Sequence, residues 1–209
     1  NLPRGLASFL AMPFVGFLVG KVDPRKLLGA GLLFSAVAMY RLSHLSLNVG
    51  FWNFSGPLML QGAALGLVFV PLTTVTNDPI PKEQMGNATS IFNLMRNIGA
   101  SIGISMVETL QFRNQQTHIN ALAKNINPAN LQARQMIDGL RGAFMANGAD
   151  AATATKRAYA AVWGMVQRQA AMLSYNDVFL FLAMMFLAMF PFILLMRRPK
   201  AGAGAVMAH

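Results

Sequence analysis

The chain has 209 residues, 55% hydrophobic and only 11% charged, with a net charge of +10 and no cysteine. Soluble domains carry about 25% charged residues, so this composition points to a membrane protein. The missing cysteine removes disulfides, thiol catalysis and thiolate metal sites together. The basic residues sit beside apolar segments rather than on an aromatic-rich polar face, which fits lipid headgroups and topology signals and argues against a nucleic-acid partner.

Residues 6–20 form the first apolar segment. Pro13 bends it, and Gly16 with Gly20 makes a GxxxG step through which a neighbouring helix can approach. In the basic turn from Lys21 to Lys26, Asp23 is placed to cap the next helix and Pro24 to occupy its first position. The second span, residues 26–45, ends in Tyr40, Arg41 and His44, an amphipathic group suited to the headgroup level. Gly50 and Trp52 supply a turn and an interface anchor. A third span over residues 54–76 carries Gln61, Gly62 and Gly66 early and Pro71 late, and its threonines Thr73, Thr74 and Thr76 can bond back to their own helix. Two prolines between Asn77 and Gln84 block continuation of either flanking helix.

The fourth span, residues 85–110, organises the rest. At about 1.5 Å of rise per residue, Arg96 lies about 16 Å from its start, near the midplane of a hydrocarbon core about 30 Å thick. Ser90, Asn93, Asn97, Ser101, Ser105 and Glu108 follow at helical steps of three or four and make one polar stripe, with Arg96 on its edge. Gly99 and Gly103 form another GxxxG step. Unpaired polar groups cost several kcal/mol in lipid, so such a stripe must face other helices or a water-filled cavity.

Residues 111–175 are too polar to span yet read as helical, with helices expected over 129–145 and 151–173. In the second of these, Tyr159, Val162, Trp163, Val166 and Ala170 recur at helical spacing, suited to a membrane surface or to other extramembrane helices. Asn176 and Asp177 are placed to cap a fifth span, residues 176–196, which Pro191 kinks and Arg197, Arg198 and Lys200 stop; the tail, 197–209, lacks the content to fold. Five spans put the Lys21–Lys26 turn, the 77–84 loop and the C-terminus on one side, which their Lys and Arg residues mark as cytoplasmic, leaving the long loop outside. The chain starts with Asn and shows no cleavable signal pattern, and its odd helix count departs from the paired repeats of complete transporters. A longer protein with at least one more helix before Asn1 is expected.

Several ordered motifs resemble one family. The run from Gly16 to Lys26 is similar to a degenerate copy of the G-x-L-a-D-r-x-G-r-[RK] loop of the major facilitator superfamily. The Gly56–Gly62 segment with Pro71–Thr74, the stretch from Gly86 through Arg96 to Gly103, and Arg168 with Tyr175–Phe179 resemble the C-terminal half of the EmrB/QacA-type fourteen-helix drug:proton antiporters. That resemblance implies an all-α polytopic protein of the bacterial inner membrane, its five transmembrane helices forming most of the C-terminal half of a major facilitator fold. It implies proton-driven export of lipophilic or cationic toxic compounds, the remaining N-terminal portion of the same transporter as partner, and an EmrA-type periplasmic adaptor. No cofactor or metal is implied beyond the coupling proton, and no acidic residue lies deep in these spans to carry it.

Arg96, Asn93, Asn97 and Gln61 are the candidates for lining a translocation cavity. Arg96 can shape that cavity electrostatically, by pairing with an acid in the missing portion or tuning its pKa; it can equally act as a clamp bonding backbone carbonyls and Asn93 or Asn97. Gly16, Gly20, Asp23 and Arg25 are candidates for a gating loop, and Gly62, Gly66, Gly99 and Gly103 for helix packing. A competing reading is a non-transporting scaffold that presents its outer loop to a partner, for which Arg96 near midplane has little use. An intramembrane enzyme needs a nucleophile with a base or paired acids, and the spans contain neither.

Overall fold

The structure, a computed structural model, describes residues 2–19, 21–47, 50–77, 80–127 and 129–195. Among the described residues every regular element is helical: α1 (Leu2–Val19), α2 (Pro24–Leu42), α3 (Phe51–Asn77), a single 3-10 turn (Lys82–Gln84), α4 (Met85–Ala123), α5 (Leu131–Ala146) and α6 (Ala151–Leu195). The tail, including Arg197, Arg198 and Lys200, lies outside them.

The chain divides into two units, one running to Met106 and resuming at Val178, the other comprising Val107–Asp177. In the first unit α3 packs against both α1 and α2. Glycine lets the second contact be this close: a Cβ added to Gly31 would lie 2.8 Å from Val68 Cγ2 and 3.0 Å from the Leu67 carbonyl carbon, so the neighbouring helix would have to shift. On either side of Gly31, Leu28 and Leu32 form a buried cluster with Ile193 of α6, flanked by Val68, Leu72 and Phe186. Met39 and Leu42 form a second with Ala183, flanked by Leu58, Phe179 and Leu182. The hydroxyls of Thr73, Thr74 and Thr76 donate to carbonyls three or four residues back, at 2.8–3.1 Å, so α3 satisfies its own threonines.

In the second unit α5 begins at Asn130, whose side-chain oxygen accepts the Gln132 and Ala133 N–H groups. The Asp150 carboxylate caps α6, accepting from Ala152 and Thr153 N–H at 3.1 Å each. Every fourth residue of α6 is buried, through Ala154, Ala158, Val162, Val166, Ala170 and Ser174. Small side chains at a four-residue step make a shallow ridge that admits close packing. Tyr159 and Trp163 are exposed instead, so the apolar stripe expected from sequence is shifted by the demand for small residues.

Two boundaries differ from the sequence reading. Asn176 and Asp177 do not begin a helix, because α6 runs without a break from Ala151 to Leu195. Asp177 is bonded sideways, its Oδ2 lying 2.7 Å from His118 Nε2 of α4, while the fully buried Ser174 hydroxyl donates to the Gln111 carbonyl at 2.6 Å. A polar residue inside a helix reads like a cap until its tertiary partner is known. Likewise α4 continues past Leu110 to Ala123, since nothing in this polar stretch breaks a helix before Lys124.

Among the described residues two helices carry stretches long and apolar enough to cross a membrane, Phe51–Thr76 and Ala151–Ile193, and Gly5–Val19 is apolar but shorter. The remaining long helices, α2 and α4, dilute their apolar content with Arg25, Lys26 and Arg41 in one case and with Arg96 and the polar stripe in the other.

Candidate functional site: the polar stripe of α4

Arg96, Asn93 and Asn97 all lie on α4 and are exposed, as are Ser101 and Glu108, and α4 contributes no buried residue of its own. Ser90, at the start of the stripe, is satisfied within the helix by donating to the Gly86 carbonyl at 2.9 Å. Arg96 extends toward α3, its guanidinium carbon 5.6 Å from the centre of the Phe69 ring. A guanidinium near an aromatic face gains about 0.5–1 kcal/mol when exposed and about 2 or more when desolvated. Phe69 is a partner that sequence spacing did not suggest. Its only trace in the sequence is its position in the α3 stretch that precedes Pro71.

Gln61 is separated from this group. It sits on α3 with 7% of its surface exposed, and its side-chain oxygen is buried without a hydrogen-bond partner among the described residues. A buried amide oxygen left unsatisfied costs about 1–3 kcal/mol, so Gln61 retains an acceptor that a proton donor or polar ligand can use. Gly62 beside it is buried. Gly66 faces α1, where an added Cβ would meet Ala11 Cβ at 3.4 Å. Around Gly99 and Gly103 no described atom lies within 4 Å of an added Cβ, and the same holds for Gly16.

At the other candidate group, Asp23 is the N-cap of α2, its carboxylate accepting the Arg25 N–H at 3.0 Å, with Pro24 opening the helix. This bond runs to the Arg25 backbone. The guanidinium Nε of Arg25 is buried without a hydrogen-bond partner among the described residues. Lys21 places its ammonium 4.1 Å from the centre of the Phe17 ring, closing the turn against α1. Gly20, the remaining residue of the proposed gating group, lies outside the described residues.

Among the described residues no group of three or more His, Cys, Asp or Glu side chains is arranged to hold a metal ion.

A family model described as Major Facilitator Superfamily matches residues 4–107, which cover α1, α2, α3 and most of the membrane-length part of α4. The whole chain aligns with the multidrug export protein EmrB of Escherichia coli strain K12 at 28% identity over 211 residues, 40% of that protein's length. It is 24% identical to the colistin resistance protein EmrB of Acinetobacter baumannii, over 94% of the chain and 38% of the relative. The fatty acid resistance protein FarB of Neisseria gonorrhoeae is also 24% identical, over 97% of the chain and 38% of the relative. The chain thus spans about 40% of the length of the curated relatives it matches. With a family match over residues 4–107 and end-to-end likeness to EmrB proteins, the chain is a membrane protein that belongs to the major facilitator superfamily and is similar to its EmrB-type members.

Proposed function

We propose that this chain forms the last five membrane spans of an inner-membrane exporter that moves lipophilic or cationic toxic compounds outward in exchange for protons. The spans are residues 6–20, 26–45, 54–76, 85–110 and 176–196, with 111–175 as a periplasmic helical loop and 197–209 as a cytoplasmic tail. The observation that carries this reading is the α4 stripe, in which Asn93, Arg96 and Asn97 lie exposed between the apolar residues of the helix's first half. Such groups need a polar wall opposite them in the membrane. The N-terminal portion of the same transporter supplies that wall, and its acidic residues carry the proton. Arg96 shapes the cavity from this side, held in place by Phe69. Gln61 is the candidate for a polar contact from α3, and Asp23 with Arg25, flanked by Gly16 and Gly20, forms the loop at which the halves rock. Gly99 and Gly103 are where a helix of the missing portion approaches closely, and an EmrA-type adaptor extends the path beyond the membrane.

The test is efflux of a fluorescent lipophilic cation from energised vesicles holding the whole transporter. Arg96→Ala is expected to lower efflux at least tenfold at unchanged protein level. Arg96→Lys keeps the charge without the planar fork and is expected to retain a measurable part. Wild-type efflux by Arg96→Ala, or efflux unaffected by collapsing the proton gradient, contradicts the proposal.

A further inference from the structure

At the far end of α2 from the Lys21–Lys26 turn, a cavity of about 790 Å³ opens between the last turns of α2 and the first turns of α3. Val37, Leu45, Pro57 and Leu60 give it apolar walls, while Tyr40, Arg41, His44, Trp52 and Asn53 give it a polar rim. Its size lies in the range of small-molecule sites, about 300–1,000 Å³. The cavity's titratable lining residues are Tyr40 and Arg41 from α2 and His44 from the turn after it, and its α3 wall adds none. No carboxylate offsets Arg41 there.

The rim carries one fixed positive charge, on Arg41, among side chains tied to one another. His44 Nδ1 lies 3.0 Å from the Tyr40 carbonyl and 3.0 Å from the Ser43 hydroxyl, and these two contacts hold the ring. The Tyr40 and His44 rings stack at a tilt, their centroids 4.7 Å apart, which holds both side chains together. Ser43 spends its hydroxyl on the same Tyr40 carbonyl, at 2.8 Å. What remains for a ligand is a guanidinium, with five N–H donors and a planar fork that matches phosphate oxygens, and the indole and amide groups of Trp52 and Asn53.

Position selects the ligand. Pro24–Leu42 comprises 19 residues, about 28 Å of helix at 1.5 Å per residue, close to the thickness of a hydrocarbon core. Trp52, 76% exposed, stands at the mouth of the apolar stretch that begins at Phe51, where aromatic side chains settle at the membrane interface. A cationic rim over apolar walls at that depth complements an anionic head joined to an acyl chain.

We propose that this cavity binds the phosphate of an anionic phospholipid from the leaflet opposite the basic turn, with Arg41 as the phosphate ligand and Trp52 packing against the glycerol and upper acyl chain. The inference rests on the proposal that α2 and α3 span the membrane, but not on transport. Its test uses the whole protein in nanodiscs containing a photoactivatable phosphatidylglycerol, with labelled sites mapped to peptides. Labelling is expected within residues 37–60, to be competed by unlabelled phosphatidylglycerol but not by equal phosphatidylcholine, and to fall at least fivefold in Arg41→Ala. Should that variant not reconstitute, His44→Ala and Trp52→Ala are expected to lower labelling of the same peptide at least twofold. Absence of label from this peptide, undiminished labelling in the variants, or equal competition by phosphatidylcholine overturns the site. Stronger competition by oleate than by phosphatidylglycerol overturns the lipid assignment in favour of a fatty acid. Labelling needs no turnover, so efflux measured in parallel reads the transport proposal separately.

Discussion

Individual residues divide by what each can reach. Arg96 was conspicuous from its charge and its depth in an apolar helix, yet its aromatic neighbour Phe69 depends on how α3 and α4 lie together and left no signature in the spacing. Gly31 makes the same point for packing. It sits in no GxxxG step of the sequence, but an added Cβ would come within 3.0 Å of both Val68 and Leu67, whereas at Gly66 the nearest approach is 3.4 Å. Alanine is the better helix former by about 1 kcal/mol, and overpacking costs about 1–3 kcal/mol. Gly31→Ala is therefore expected to lower the thermal midpoint of the purified protein, and Gly66→Ala to leave it nearly unchanged. Equal midpoints for the two variants would show that α2 and α3 are less tightly fitted than these distances require. Gln61 was legible as a polar residue in a span, but only the fold shows that its oxygen is buried and unpaired.

Among the elements, α6 is the most instructive. Composition showed an amphipathic stretch followed by an apolar one, and the Asn-Asp pair between them read as a cap; the helix in fact passes straight through. The polar pair was misread because a hydrogen bond to another helix, here Asp177 to His118, is invisible in a single sequence. Its true start is Asp150, where hydrogen bonds from Thr153, first its side chain and then its N–H, hold the carboxyl below its usual value of 3.8. A depressed folded-state pKa adds stability above the unfolded value, lost as pH falls through the folded one. The first turn of α6 is accordingly expected to show faster amide exchange as pH drops below about 4, once exchange is corrected for its intrinsic pH dependence, and Asp150→Asn is expected to remove that dependence. An unchanged profile in the variant would assign the effect elsewhere. The buried ridge predicts a second outcome: Ala158→Leu, at a position with no exposed surface, should destabilise the Val107–Asp177 unit, while Tyr159→Leu beside it should not. Chemical denaturation followed by a probe in residues 107–177 separates the two.

For the molecule as a whole, helical class and membrane character were legible because both rest on local pattern: apolar runs of bilayer length, proline and glycine punctuation, and a near absence of charge. The family was legible too, in the order of its motifs rather than in any one of them. Tertiary contacts were not, and neither was the length of α4, whose polar end continues as helix. The central claim is that one face of α4 borders a water-filled path inside a membrane protein. These 209 residues contain no cysteine, so single thiols can be introduced here in the whole protein once any cysteine elsewhere in it is replaced by serine. The decisive measurement is the reactivity of Asn97→Cys and Ser101→Cys toward a small hydrophilic maleimide in membranes, beside Ile102→Cys and Met106→Cys on the other face. The account predicts that the first pair reacts, more slowly when a transported cation is present, and that the second pair stays unlabelled. Equal labelling of all four positions, or protection of all four, would contradict it.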